Sequence, residues 1–241
     1  PAKGLTGPGY DGHAFWDTEG YVLPPLMYAL PGAAADALHW RASILDLAKQ
    51  RAQTLGLSGA AFPWRTIRGQ ECSAYWPAGT AAFHLNAVVA SAIERYRVIT
   101  GDDSLERDGG LEVLVETARL WSSLGHHDRA GSWHVDGVTG PDEYSAVADD
   151  NVFTNLMAAR NLRIAAAACT RHPELAHRLG VTEQESAEWL VHARAVHLPY
   201  DAELGVHPQS AGFTRYAEWD FEAFTGRYPL LLHAPYVLLY A

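Results

Sequence analysis

The sequence predicts an all-α fold, and three observations in its 241 residues carry that reading. Apolar residues recur at the helical period of about 3.6 residues over five long stretches. The alternation that marks a half-buried strand is scarce. Long loops rich in Gly, Pro and aromatic residues separate the helical stretches, which points to helices stacked in a ring with the loops gathered at one end.

A short helix is expected near Leu23 to Tyr28. From about Ala33 to Leu55, Leu38, Ala42, Leu45, Ala48, Ala52 and Leu55 form one apolar stripe, closed by Gly56. The next helix runs from about Ala78 to Thr100, with Phe83, Ala87, Ala90 and Tyr96 near one face and Gly101 as its stop. Leu111, Leu114, Val115, Ala118 and Trp121 define another, from Leu111 to Leu124. The stretch from Asn151 to Cys169 is apolar on several sides and is predicted to be buried. Thr182-Glu-Gln-Glu185 is a capping box that opens a helix reaching about His197. The apolar run 228–241 is a further candidate helix. Its lack of a polar stop, and a first residue that is not Met, suggest a piece of a longer protein. Loops at 1–20, 57–77, 125–148 and 199–227 hold much of the Trp, His, Asp and Glu, so they are the expected site.

Composition narrows the function. The chain is 48% hydrophobic with a net charge of −10, and only Lys3 and Lys49 are lysines among 18 basic residues. This balance disfavours a nucleic-acid backbone as partner and favours a small or neutral one. No apolar run approaches the roughly 20 residues that span a bilayer. Cys72 and Cys169 lack metal-type spacing and form no disulfide framework, which suggests a reducing, cytoplasmic setting. Eight Trp and eleven Tyr suit sugar stacking and core packing alike.

The strongest local signal is Gly137-Val-Thr-Gly-Pro-Asp-Glu-Tyr144, followed by Ala148-Asp-Asp-Asn-Val-Phe-Thr-Asn155. It sets Glu143 in a Gly/Pro-shaped turn just before a helix. A carboxyl held between aromatics at the mouth of a helix is in the setting that raises a pKa, as a general acid requires. Other patterns carry less. The twelve histidines form no His-Glu-x-x-His pattern and no Cys/His cluster, so no metal site is expected. Gly7-x-Gly9-x-x-Gly12 lacks the strand and βαβ setting of a dinucleotide fingerprint. Ser58-Gly-Ala and Gly131-Ser-Trp are loop sequences, not nucleophile elbows.

Four long segments in order bring a family into view. They are Gly4 to Glu19, with Gly12-His-Ala-Phe-Trp-Asp17; Phe62 to Thr80, with Gly69-Gln-Glu-Cys72; the 137–155 stretch; and Leu204-Gly-Val-His-Pro-Gln209 with Trp219-Asp-Phe221. Together they resemble glycoside hydrolase family 65, which includes trehalose, maltose and kojibiose phosphorylases. The resemblance covers residues 1–241 and implies a partial (α/α)6 barrel, roughly the first half of the helical toroid. The family's flanking β domains would lie outside this chain, as would the residues that help hold phosphate.

Carried over by motif, Glu143 matches the general acid, and Trp16 and Asp17 match the pair that holds glucose. Glu71 lies in a loop resembling the one on the leaving-group side, which implies substrate binding. Read without the family, Trp16 would be a core residue and Asp17 a helix cap. The implied reaction is inverting phosphorolysis of an α-glucosyl disaccharide, trehalose first, with inorganic phosphate as co-substrate and no metal or organic cofactor. An inverting hydrolase would need a second carboxylate about 6.5–9.5 Å from the acid. Asp17, Glu71, Asp149 and Asp150 are candidates for it, so an α,α-trehalase stays open, as does kojibiose or maltose phosphorolysis. A non-catalytic sugar-binding remnant is the alternative from another class. The partners implied are a disaccharide and phosphate, with a homodimer for the complete protein.

Overall fold

The computed structural model describes residues 4, 9–73, 78–218 and 220–227. Their secondary structure is mostly helical, as expected. Among the described residues ten α-helices occur in order: α1 (Leu23–Ala29), α2 (Pro31–Ser43), α3 (Leu45–Thr54), α4 (Ala78–Ala81), α5 (His84–Thr100), α6 (Leu111–Leu124), α7 (Val152–Arg171), α8 (Pro173–Arg178), α9 (Glu183–Ala195) and α10 (Phe221–Arg227). The only sheet among the described residues is a two-stranded antiparallel pair, β1 (His126–His127) and β2 (Trp133–His134).

Local sequence explains most boundaries. The stripe from Ala33 to Leu55 is divided between α2 and α3, because Ile44 leaves helical geometry at φ −103°, ψ 11°. Gly101 takes φ 73°, and its N–H closes α5 on the Arg97 carbonyl. Asn151 caps α7 through its side chain, which accepts from the Thr154 N–H at 3.0 Å. Thr182 caps α9 on the Glu185 N–H at 3.0 Å. Glu185 does not complete a reciprocal box, since its carboxylate accepts from Arg119 at 2.6 and 3.0 Å instead. Helix α8 and the β1–β2 pair escape periodicity because each is shorter than two helical turns. The expected helix over 228–241 lies outside the described residues.

Helix α7 is the axis of the packing and touches α5, α6, α8 and α9, while α1 and α2 pack on α5. Trp121, Trp133 and Trp189 are fully buried. The α6–α7 contact carries a satisfied polar chain: Trp121 Nε1 donates to Asn161 Oδ1 at 3.0 Å, and Asn161 Nδ2 donates to Thr117 Oγ1 at 3.1 Å. Both cysteines are free, and burial pushes the Cys169 thiol up to about 11, so it behaves as a small apolar side chain. No described helix is long and apolar enough to cross a membrane.

Candidate active site

The loops before α1, between α3 and α4, and before α7 meet around a cavity of about 320 Å³. Trp16, Asp17 and Glu143 all line it, with Tyr10, Gly12, His13, Phe15, Tyr21 and Trp64. Residues more than 120 positions apart in sequence are thus brought to one concavity holding two carboxylates and an aromatic wall.

The Trp16–Asp17 turn is anchored from beneath. Arg41 of α2, fully buried, donates to both Glu19 oxygens at 2.6 and 3.0 Å and to the Phe15 carbonyl at 3.3 Å. A buried pair of this kind fixes position, because neither charge has water to fall back on. Ala14 and Thr66 exchange backbone hydrogen bonds at 2.7 and 3.1 Å, tying this segment to the loop that carries Trp64. Phe15 packs edge-on against Trp64 at 5.0 Å and Tyr10 at 4.9 Å. Trp16 rests at 5.0 Å, edge to face, on His84.

His84 sits at the start of α5, and its Nδ1 lies 3.3 Å from the Thr139 carbonyl at the root of the acid turn. Burial pushes its pKa down to about 4, so the ring is neutral at ordinary pH. One uncharged imidazole therefore touches both the tryptophan wall and the segment leading to the acid.

The Glu143 turn is built as a closed loop. Val138 and Ala148 pair at 2.9 and 2.8 Å at its stem, and the Thr139 N–H donates to the Ala81 carbonyl at 3.0 Å. Gly140 has no side-chain room, since a Cβ there would come within 2.4 Å of the Asn151 amide. Asp142 accepts from the Tyr144 N–H and the Ser145 hydroxyl, both at 3.1 Å. Gln209 closes the loop from outside: its Nε2 donates to Asp142 at 2.8 Å and Ser145 at 2.9 Å, while its carbonyl accepts from the Val152 N–H at 3.0 Å. Gln209 lies in a motif the sequence singled out, yet a role for its side chain was not visible there.

Glu71 does not share the cavity. Its carboxylate accepts from the N–H groups of Trp64, Arg65, Cys72 and Ser73 at 2.5, 3.2, 3.0 and 3.0 Å, and from the Ser73 hydroxyl at 2.7 Å. Arg51 stands 3.7 Å away. These contacts shape the 64–73 loop, whose Trp64 does reach the cavity. The residues 74–77 and Trp219 of the sequence motifs lie outside the described residues.

Comparison with known proteins shows the family of the chain. The model of the glycosyl hydrolase family 65 central catalytic domain matches residues 1–239. A glycosyl hydrolase of Mycobacterium tuberculosis described as uncharacterized is 71% identical over 240 residues, covering 100% of this chain and 30% of that protein. An alpha,alpha-trehalose phosphorylase of Geobacillus stearothermophilus is 45% identical over 249 residues, covering 99% of this chain and 32% of that protein. A solved structure provisionally described as a kojibiose phosphorylase from human microbiome superposes with a TM-score of 0.89 at 31% identity, over 99% of this chain and 36% of that one. The chain thus spans about a third of the length of these relatives. It belongs to glycosyl hydrolase family 65, within the family's central catalytic domain.

Proposed function

We propose that the protein carrying this chain is a carbohydrate-active enzyme that cleaves an α-glucosyl disaccharide by inverting phosphorolysis, with Glu143 as general acid. The observation that carries the reading is the single cavity lined by Glu143, Trp16, Asp17 and an aromatic wall. Trp16 packs on the C–H face of the glucosyl ring, and Asp17 accepts hydrogen bonds from its hydroxyls. Glu143 gives its proton to the glycosidic oxygen as the bond to the anomeric carbon breaks. A phosphate oxygen forms the new bond on the opposite face, yielding β-glucose 1-phosphate and a free sugar. Phosphate is already anionic, so no second carboxylate need act as base.

Glu71 serves this reaction at one remove, through Trp64, whose N–H it holds. The helices are part of an (α/α)6 barrel in this proposal. Trehalose is the preferred substrate, supported by 45% identity to the trehalose phosphorylase against 31% to the kojibiose structure. No metal or organic cofactor enters the reaction. The test is product analysis with trehalose, with and without inorganic phosphate. β-Glucose 1-phosphate formed only with phosphate supports phosphorolysis; glucose released equally well without it assigns a hydrolase.

A further inference from the structure

Away from the sugar cavity, His134, Asp150 and His197 place one ligand-capable atom each within 4.8 Å of one another. None of the three lines the cavity around Glu143. Their assembly is fixed by the backbone on either side of His134. The Trp133 carbonyl accepts the His197 N–H at 2.7 Å, and the Val135 carbonyl accepts the Asp150 N–H at 2.9 Å. Asn155 of α7 then links the other two, donating from Nδ2 to Asp150 Oδ1 at 2.9 Å and to the His197 carbonyl at 2.8 Å. Three separate stretches of chain are thereby held in register around one point.

Two further observations point to a ligand. His134 Nε2 lies on the ring edge opposite Asp150, 3.5 Å from Asp128, so Nδ1 is the atom it offers the cluster. Asn155 Oδ1, beside the cluster, is buried without a hydrogen-bond partner. Buried polar atoms of this kind are uncommon unless a water or an ion completes them. Asp150 also holds φ 46°, a left-handed conformation that a residue other than Gly adopts at a cost. That geometry carries its carboxylate to His134 Nδ1, 2.7 Å away.

We propose that His134, Asp150 and His197 bind a divalent transition metal ion of the zinc class, with Asn155 orienting the set. Two imidazoles and one carboxylate suit Zn²⁺ or Co²⁺; Mg²⁺ and Ca²⁺ prefer all-oxygen shells. On loading, the 2.7 Å contact between His134 and Asp150 widens as the ion enters, His197 turns from its stacked position on the His134 ring, and the proton shared between His134 and Asp150 leaves to solvent. The ion would brace the stem of the acid loop, because Asp150 lies two residues beyond the Val138–Ala148 pairing. Its role is structural, and it takes no part in sugar cleavage.

The test is to strip the complete protein with a chelator and titrate it with Co²⁺ by visible absorption and with Zn²⁺ by calorimetry. We expect one ion per chain with a Kd on the order of 1 µM or tighter, a visible Co²⁺ band typical of mixed nitrogen and oxygen ligands, and a higher unfolding temperature with Zn²⁺. His197→Gln and Asp150→Asn should each weaken binding at least about tenfold. Asp150→Asn retains a residue tolerant of positive φ, so its metal-free unfolding temperature should match that of the parent. His127→Ala, beside the separate His127–His192 contact at 2.9 Å, should leave affinity unchanged. Absence of saturable binding, full affinity in both ligand variants, or loss of binding in His127→Ala alone would each overturn the proposal.

Discussion

Gln209 Nε2 donates a 2.8 Å hydrogen bond to Asp142, the residue immediately before Glu143. The contact spans 67 positions of sequence and fastens the acid turn to the segment after α9. A general acid works only when its proton lies close to the leaving oxygen, so this clamp is a positioning device for the proposed reaction.

Gln209→Ala is therefore expected to lower kcat roughly tenfold while leaving KM within about a factor of two. Steady-state kinetics on the disaccharide check this. A change confined to KM would place Gln209 in ground-state binding instead.

Trp16→Ala removes the proposed sugar platform while its supports at His84 and Phe153 stay in place. We expect KM to rise about tenfold, a loss near 1.4 kcal/mol, with a smaller effect on kcat. Phe at the same position should restore much of the affinity.

Arg41→Met leaves the Glu19 carboxylate buried without its partner, which should cost about 3–5 kcal/mol of stability. Chemical denaturation of the complete protein measures the loss. Pairing the change with Glu19→Leu should recover most of it, because the uncompensated charge is gone.

His84 predicts a pH dependence of stability. Its folded pKa of about 4 lies below the ordinary 6.5, so the unfolded chain binds a proton that the folded chain refuses between those values. The neutral-ring contribution is fully present above about pH 6.5 and is lost as pH falls toward 4, by an amount on the order of 3 kcal/mol. Unfolding curves taken from pH 7 to 4 should show this loss in the parent and a shallower one in His84→Gln.

The helices were legible because their apolar residues keep one period through many turns, and α6 is observed with the bounds its Leu111 and Leu124 predicted. The break at Ile44 was not, since no Gly or Pro marks it and tertiary packing decides it. At the site, Trp16, Asp17 and Glu143 were found through long motifs, and the structure brings all three to one cavity. Glu71 came from a separate motif, Gly69-Gln-Glu-Cys72, and nothing in sequence shows that its carboxylate accepts from four backbone N–H groups of its own loop. His134, Asp150 and His197 were invisible for a different reason. Their spacings of 16 and 47 residues fit no metal pattern, and only the pairing of β2 with the ends of two other segments gathers them.

The role of Glu143 is tested most directly by comparing leaving groups. Glu143→Gln should lower turnover of the disaccharide by about 10²–10⁴-fold, because a sugar alkoxide needs a proton to depart. The same variant should lose far less on a dinitrophenyl α-glucoside, whose phenolate leaves unaided. Equal losses on both substrates, or an unaffected rate on the disaccharide, would contradict Glu143 as the general acid.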